Sequence, residues 1–328
     1  MKFFFNLLLV LMLFLCGCDS SSTLNDDALF ETCKKGDTAS LNKFIQQKNN
    51  SLNLKNKKGI SPLMMSAFYG HIKNMKLLLK NGAKINSLDV SGNTALIWAI
   101  RRNYNQMYLS QKDLQSVQKR STKRKINFLT KIISSGKKGK IIDIVELLIK
   151  KGANVNHKNI LGQNPLFFAV EENDIDTVKL LLKSNANCNI TDNNGVTPLC
   201  IASQKGFCDI AKLLINNGAS LNHVDSSQNT PLLYAVSKEN HEMIKLLIKK
   251  GADVNLKTTL TPLMKASIKG DEISIKILLE NNADINIAIW SQGVPITAYS
   301  LFKGNQHNNA KIEKLLKPNK TPTIPNRN

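Results

Sequence analysis

The feature that most limits what this chain can become is a pattern that keeps returning. Gly195-Val196-Thr197-Pro198-Leu199-Cys200-Ile201-Ala202 is followed by Leu213-Leu214-Ile215-Asn216-Asn217-Gly218-Ala219. The same opening stands at Ser61-Pro62-Leu63, Thr94-Ala95-Leu96, Asn164-Pro165-Leu166, Thr230-Pro231-Leu232 and Thr261-Pro262-Leu263. The same closing stands at Gly82-Ala83, Gly152-Ala153, Asn185-Ala186, Gly251-Ala252 and Asn282-Ala283. From Ser61 to Thr94, Asn164 to Thr197 and Thr197 to Thr230 the step is 33 residues. A repeat this short cannot cover its own apolar face, so neighbours have to stack and share a core. The chain is therefore expected to be one elongated solenoid, although its length alone would suggest two compact domains.

The local chemistry of the repeat is readable residue by residue. Proline just after Thr sits where a helix's first turn has no partner for its N–H, and the Thr side chain can satisfy a neighbouring orphan donor. A short first helix is thus expected at each Thr-Pro-Leu. The run Ile210-Ala211-Lys212-Leu213-Leu214-Ile215 carries apolar residues at helical spacing and predicts a second helix, which Gly218 ends by adopting a left-handed conformation. Aromatic residues make up 6% of the chain, so the core must come from Leu, Ile and Ala.

In these motifs and in their period the chain resembles the ankyrin-repeat family, and six repeats agree in phase. The resemblance covers about residues 25–317 and implies an all-α solenoid of stacked helix pairs with short β-hairpin loops. On this reading 25–56 is a leading cap, and full repeats follow at 57–89, 90–159, 160–192, 193–225, 226–256 and 257–287. The hairpin before Thr261 is two residues short. A degenerate closing cap is expected at 288–317, and the Pro- and Asn-rich tail 318–328 is expected to be disordered. The resemblance further implies binding of another protein along a concave face, with the chain acting as a monomer. Carried over by phase, the hairpin positions are Ile60, Asn93, Gln163, Val196, Asn229 and Leu260. The first-helix ends are Phe68 and Tyr69, Arg101 and Arg102, Glu171 and Glu172, Gln204 and Lys205, Ser237 and Lys238, and Ile268 and Lys269. Exposed aromatics and arginines are the usual interface anchors. The alternative for Phe68 and Tyr69 is that they pack on the leading cap.

The chain begins with a basic Lys2 and an apolar run from Phe3 to Leu15, too short for an ordinary membrane-spanning helix. The ending Leu15-Cys16-Gly17-Cys18 resembles the bacterial lipoprotein signal. That resemblance implies a signal peptide at 1–17, lipid attachment at Cys18, a tether at 18–24 and a place in the cell envelope, held on a membrane by lipid. An ordinary signal peptide is the alternative.

Charge is lopsided: 45 Lys and Arg stand against 24 Asp and Glu. Part of the excess is concentrated where the second full repeat is broken by 37 extra residues, placed at about 104–140. There Lys112, Lys119, Arg120, Lys123, Arg124, Lys125, Lys131, Lys137, Lys138 and Lys140 face Asp113 alone. Within it Asn127 to Ile133 is apolar enough for a short helix. Insertions in repeat proteins often add binding specificity, so a second reading makes the chain a basic adaptor gripping anionic lipid or nucleic acid. A solvated loop without a role fits the same residues. Elsewhere the lysines read as a solvated outside.

Catalytic patterns are missing. Ser134-Ser135-Gly136-Lys137-Lys138-Gly139-Lys140 lacks the first glycine and the hydroxyl of a phosphate loop, and neither a Gly-x-Ser-x-Gly elbow nor a His-Glu-x-x-His helix occurs. The six cysteines show no zinc spacing, Cys188 and Cys200 read as small core fillers, and His157 and His223 read as loop residues. No enzyme, cofactor or metal is expected.

Overall fold

At the head of each first helix, the Thr or its stand-in folds back on the chain. The side chains of Ser61, Thr94, Asn164, Thr197, Thr230 and Thr261 accept the backbone N–H of Met64, Ile97, Phe167, Cys200, Leu233 and Met264, and in five of the six cases proline fills the first turn. Each such cap is worth about 1 kcal/mol.

The structure is a computed structural model that describes residues 24–47, 51–101, 139–291, 294–305 and 309–317. Among them are sixteen helices and two strands, divided between two compact units, Met1–Ile160 and Leu161–Asn328. The N-terminal unit holds α1 (Leu24–Lys35), α2 (Thr38–Gln46), α3 (Pro62–Tyr69), α4 (Ile72–Lys80), α5 (Ala95–Ile100) and α6 (Gly139–Lys150). The C-terminal unit holds α7 (Pro165–Glu171), α8 (Ile175–Lys183), α9 (Pro198–Lys205), α10 (Cys208–Asn216), α11 (Pro231–Ser237), α12 (His241–Lys249), α13 (Pro262–Lys269) and α14 (Glu272–Glu280). It closes with the antiparallel hairpin β1 (Ile289–Ser291) and β2 (Val294–Ile296), in which Trp290 pairs with Pro295, and with α15 (Ala298–Gly304) and α16 (Ala310–Leu316).

In each unit the odd-numbered helices pack in a row and each second helix packs on its own first helix. First helices are apolar nearly all round and are buried, as Pro198–Ser203 are in α9. Second helices are amphipathic: α10 buries Ile210, Ala211 and Leu214 and leaves Asp209 and Lys212 in water as an ion pair of 3.0 Å. Leu214 is 0% exposed, so Leu214→Ala removes a side chain whose loss costs about 2–5 kcal/mol.

The closing Gly-Ala has a geometric reason. Gly218, with φ +86°, donates its N–H to Ile215, while Ala219 donates to Leu214 at 3.0 Å. These two bonds satisfy carbonyls that a helix end leaves bare. Ala83, Ala153, Ala186, Ala252 and Ala283 make the same long bond in their repeats, and all six alanines are buried. Cys188 and Cys200 are buried, and burial pushes the Cys200 thiol up to about 11 against the opposing bond from Thr197.

The insert largely escapes description. Lys119, Arg120, Lys123, Arg124, Lys125, Lys137, Lys138 and the short helix expected at Asn127 to Ile133 lie outside the described residues. Lys140 falls in α6, which already begins at Gly139. Cys18 also lies outside them. No helix among the described residues is long and apolar enough to cross a membrane.

Candidate functional site

The surfaces open to a partner are built from the loops joining one repeat to the next and from the adjoining ends of the first helices. Four of the long loops are each organised by one Asp or Asn. Asp89 Oδ1 accepts the N–H of Ser91 at 2.9 Å and of Asn93 at 2.7 Å, and Asp225 Oδ1 accepts those of Ser227 and Asn229 at 2.9 and 2.8 Å. Asn56 and Asp192 do the same for their loops. The second carboxylate oxygen is taken by the first helix that follows. Trp98 Nε1 donates to Asp89 at 2.9 Å, and Tyr234 Oη donates to Asp225 at 2.5 Å. Half-burial of the Tyr234 ring and this bond to a carboxylate both push the phenol upward, so it stays a donor.

Loops are also sewn to their neighbours. Asn53 Nδ2 donates to the carbonyl of Gly82 and its Oδ1 accepts from Lys84, and Asn86 repeats this pair of bonds with Gly152 and Asn154. Asn189 does so with Gly218 and Ser220, and Asn255 with Asn282 and Asp284. His157 Nε2 meets the carbonyl of Gly92 at 2.8 Å and His223 that of Gly195 at 2.7 Å. Both histidines are thus loop residues that tie one turn to the next. Among the described residues no group of His, Cys, Asp and Glu could hold a metal ion.

The expected partner-binding residues divide sharply. In the N-terminal unit Ile60 is 8% exposed and Phe68 is 4% exposed, so neither presents a side chain to solvent. Both are corrections to their expected place as surface anchors. Phe68 sits edge-on to Tyr69 and Trp98, with ring centroids 5.1 and 5.5 Å away. The partner that buries it is therefore Trp98 of the following repeat as well as its own neighbour. Tyr69 is half-buried and stacks on His71 at 6.3 Å, while His71 Nε2 reaches the carbonyl of Lys34 in α1. Burial raises the Tyr69 phenol, and the charge of Lys34 opposes the shift. Arg101 is half-buried at the end of α5. Arg102 lies outside the described residues.

In the C-terminal unit the same row is more exposed. Glu171 and Glu172 are half-buried, while Gln204 and Lys205 are exposed. Lys205 Nζ donates to the Glu171 carbonyl at 3.0 Å and lies 5.9 Å from the Phe207 ring. Ser237 is half-buried and Lys238 exposed, Ile268 is half-buried, and Lys269 is ion-paired with Glu239. Trp98, Asp89, Asp225 and the asparagines are the residues that sequence reasoning passed over. Their signal was present, since Asn56, Asp89 and Asp192 each stand three residues before a loop glycine and Asn189, Asn222 and Asn255 recur in step.

Helix pairs stacked in series, capped by Thr-Pro, closed by Gly-Ala and joined by carboxylate-braced loops define an ankyrin-type repeat protein. Sequence comparison agrees: the family described as "Ankyrin repeats (3 copies)" matches residues 6–89, 29–110, 132–225 and 217–289. The chain belongs to the ankyrin-repeat family. Among solved structures, the ankyrin repeat domain of human ASB11 is similar, with 23% identity, a TM-score of 0.58 and coverage of 78% of this chain and 98% of that one. At that identity the likeness speaks for the fold alone. Ankyrin-repeat proteins generally bind other proteins and are generally non-enzymatic scaffolds.

Proposed function

We propose that this protein is a non-enzymatic scaffold that captures a partner protein on the first-helix side of its N-terminal unit, while lipid on Cys18 holds it at a bacterial membrane. The observation that carries the binding site is the aromatic group Tyr69, Phe68 and Trp98, with Arg101 one turn beyond Trp98. Tyr69 and Trp98 are half-buried rings, each with a polar atom, and such residues anchor interfaces at small entropic cost. Phe68 holds the two rings in place from below. The C-terminal first-helix ends, Glu171 to Lys269, offer no aromatic ring and support the interface less.

The test is alanine at Tyr69, Trp98 and Arg101, read as capture of a crosslinked partner from membrane extracts. Partner affinity should fall by about 2 kcal/mol or more for each true anchor. Normal capture by the triple variant would place the interface elsewhere. The anchor is tested separately: Cys18→Ser should release the chain from membranes, and a mature chain without acylation would end that part of the reading. The insert's one-sided charge supports the second reading, a basic adaptor. If deleting 104–140 abolishes binding to a polyanion, and that binding weakens steeply between 50 and 200 mM salt, the adaptor reading replaces the first.

A further inference from the structure

The loop tips of the N-terminal unit carry basic and apolar side chains that the proposed protein interface does not use. In two of these loops the braced Asp or Asn begins a tight turn: the N–H of Gly59 returns to Asn56 at 2.8 Å and that of Gly92 to Asp89 at 3.0 Å. The residues at the two central positions of these turns are Lys57-Lys58 and Val90-Ser91, and Ile160 follows Asn159 in the same phase. Backbone bonds set the tips in line, because Val90 donates to Lys58 and Ile160 donates to Ser91, both at 3.1 Å. Val90 is 63% exposed and Ile160 58% exposed, with Leu88 beside them at 38%. Both β-branched side chains stand well out into water on their turns.

The charge around these tips has one sign. Residues 51–60, 84–93 and 154–160 contain Lys55, Lys57, Lys58, Lys84 and Lys158 against a single acid, Asp89. Asp89 is buried, and its oxygens are taken by Ser91, Asn93 and Trp98. The tips therefore offer two or three apolar points among lysines, of which Lys58 is half-buried and Lys55 donates to the Leu88 carbonyl at 2.8 Å, with no exposed carboxylate in these loops.

We propose that this row of tips, Lys57, Lys58, Val90 and Ile160 flanked by Lys55 and Lys158, rests on an anionic lipid surface, with the lysines at the headgroups and Val90 and Ile160 dipping between them. An acidic protein would satisfy the same charges. Protein hot spots, however, fill well-packed pockets, and a line of projecting turns offers convex points instead. A fluid headgroup layer needs no pocket and rewards both basic charge and shallow apolar insertion. The position in the chain agrees. Helix α1 starts at Leu24, six residues from Cys18, a span of about 20 Å when fully extended. A lipid at Cys18 would hold this unit close to the bilayer and raise the effective concentration of the tips at its surface. The inference stands on the tips themselves and does not require that lipid.

The experiment uses the full chain carrying Cys18→Ser, so that no acyl group contributes, and vesicles of phosphatidylcholine with or without about one-third phosphatidylserine. The reading is the ratio of binding to anionic over neutral vesicles, in which the apolar start of the chain cancels. One lysine at a membrane surface contributes about a fivefold factor, so Lys57→Gln with Lys58→Gln should lower the ratio about 25-fold or to unity. Val90→Ser with Ile160→Ser, read against the parent on the same anionic vesicles, should lower binding several-fold, at an unchanged urea midpoint. A gain-of-function arm guards against misfolding: Val90→Trp should raise binding to anionic vesicles, and its added emission should shift to the blue there. Binding that ignores all three changes overturns the proposal. So does a ratio that collapses only when 104–140 is removed, which would give the lipid to the insert. Loss of an acidic protein partner by the tip variants, with the ratio intact, would make the face a protein interface and also end the proposal. Since every protein tested carries Cys18→Ser, failure of the anchor reading and failure of this one are told apart.

Discussion

The loops of the two units share a backbone and differ in what they show to the outside. Asp89 in one unit and Asp225 in the other brace their loops with the same pair of N–H bonds, and each receives one aromatic donor from the next helix. Yet the turn that holds Lys57-Lys58 and the one that holds Val90 have as counterparts Asn193-Asn194 and Ser226-Ser227. Across residues 187–196, 220–229, 253–260 and 284–290 there is one lysine, Lys257, against Asp192, Asp225, Asp253 and Asp284. The lesson is a division of labour within each loop. Side chains that turn inward to backbone N–H groups fix the shape, and the two central turn positions change in chemistry from one unit to the other.

The largest effect should come from removing a brace. Asp225→Ala strands the N–H groups of Ser227 and Asn229 and the hydroxyl of Tyr234, and hydrogen bonds to a charged group are individually strong, so the loss should be about 3 kcal/mol or more. Asp89→Ala should cost a similar amount in urea unfolding. If one loop tolerates the change and the other does not, the two loops are not the same device and the comparison breaks.

A smaller difference should appear with acid. Asp271 caps α14 through Ser274 and faces both ways, its two oxygens 3.1 and 3.0 Å from Nε2 of His241. Burial pushes its carboxyl up, but the bonds from Ser274 and His241 prevail and hold it below the ordinary 3.8. A lowered carboxyl contributes stability that is complete above its ordinary value and is lost as the pH falls through the folded one. At the phase of Asp271 the N-terminal unit carries His71, which meets the carbonyl of Lys34 instead. Asp271→Ala should therefore cost about 1 kcal/mol at pH 6, and the gap to the parent should close below pH 3.8. A gap that persists in acid would show that packing, not charge, made the difference.

A gain should follow at Gln228. It holds φ +61° at a loop position where Gly59, Gly92, Gly162 and Gly195 stand in the other repeats. A left-handed conformation costs a residue with Cβ about 1–2 kcal/mol, partly offset by the greater freedom glycine loses. Gln228→Gly should stabilise by about 0.5 kcal/mol, and Gly195→Gln should do the opposite. Least of all, Val90→Ser with Ile160→Ser should move the unfolding midpoint by less than about 0.5 kcal/mol, as exposed substitutions do. A larger loss would mean that these tips support the fold, and the contrast between the units would weaken with it.

The sequence alone determined the period, the helix pairs and their ends, because these rest on local chemistry. A Thr before Pro caps its own helix, and a Gly-Ala closes the helix just made, whatever lies around them. It also marked the two buried thiols and the loop histidines. What it could not decide was which side of each repeat meets a neighbour. Phe68 and Ile60 read as surface residues by phase, yet Phe68 is covered because Trp98 of the next repeat lies edge-on to it. The loop asparagines went unread in the sequence, yet Asn53, Asn86, Asn189 and Asn255 each bind the repeat that follows. Both facts depend on the distance between one repeat and the next, which is set by how the side chains of two helix pairs interlock, and no single repeat contains that information.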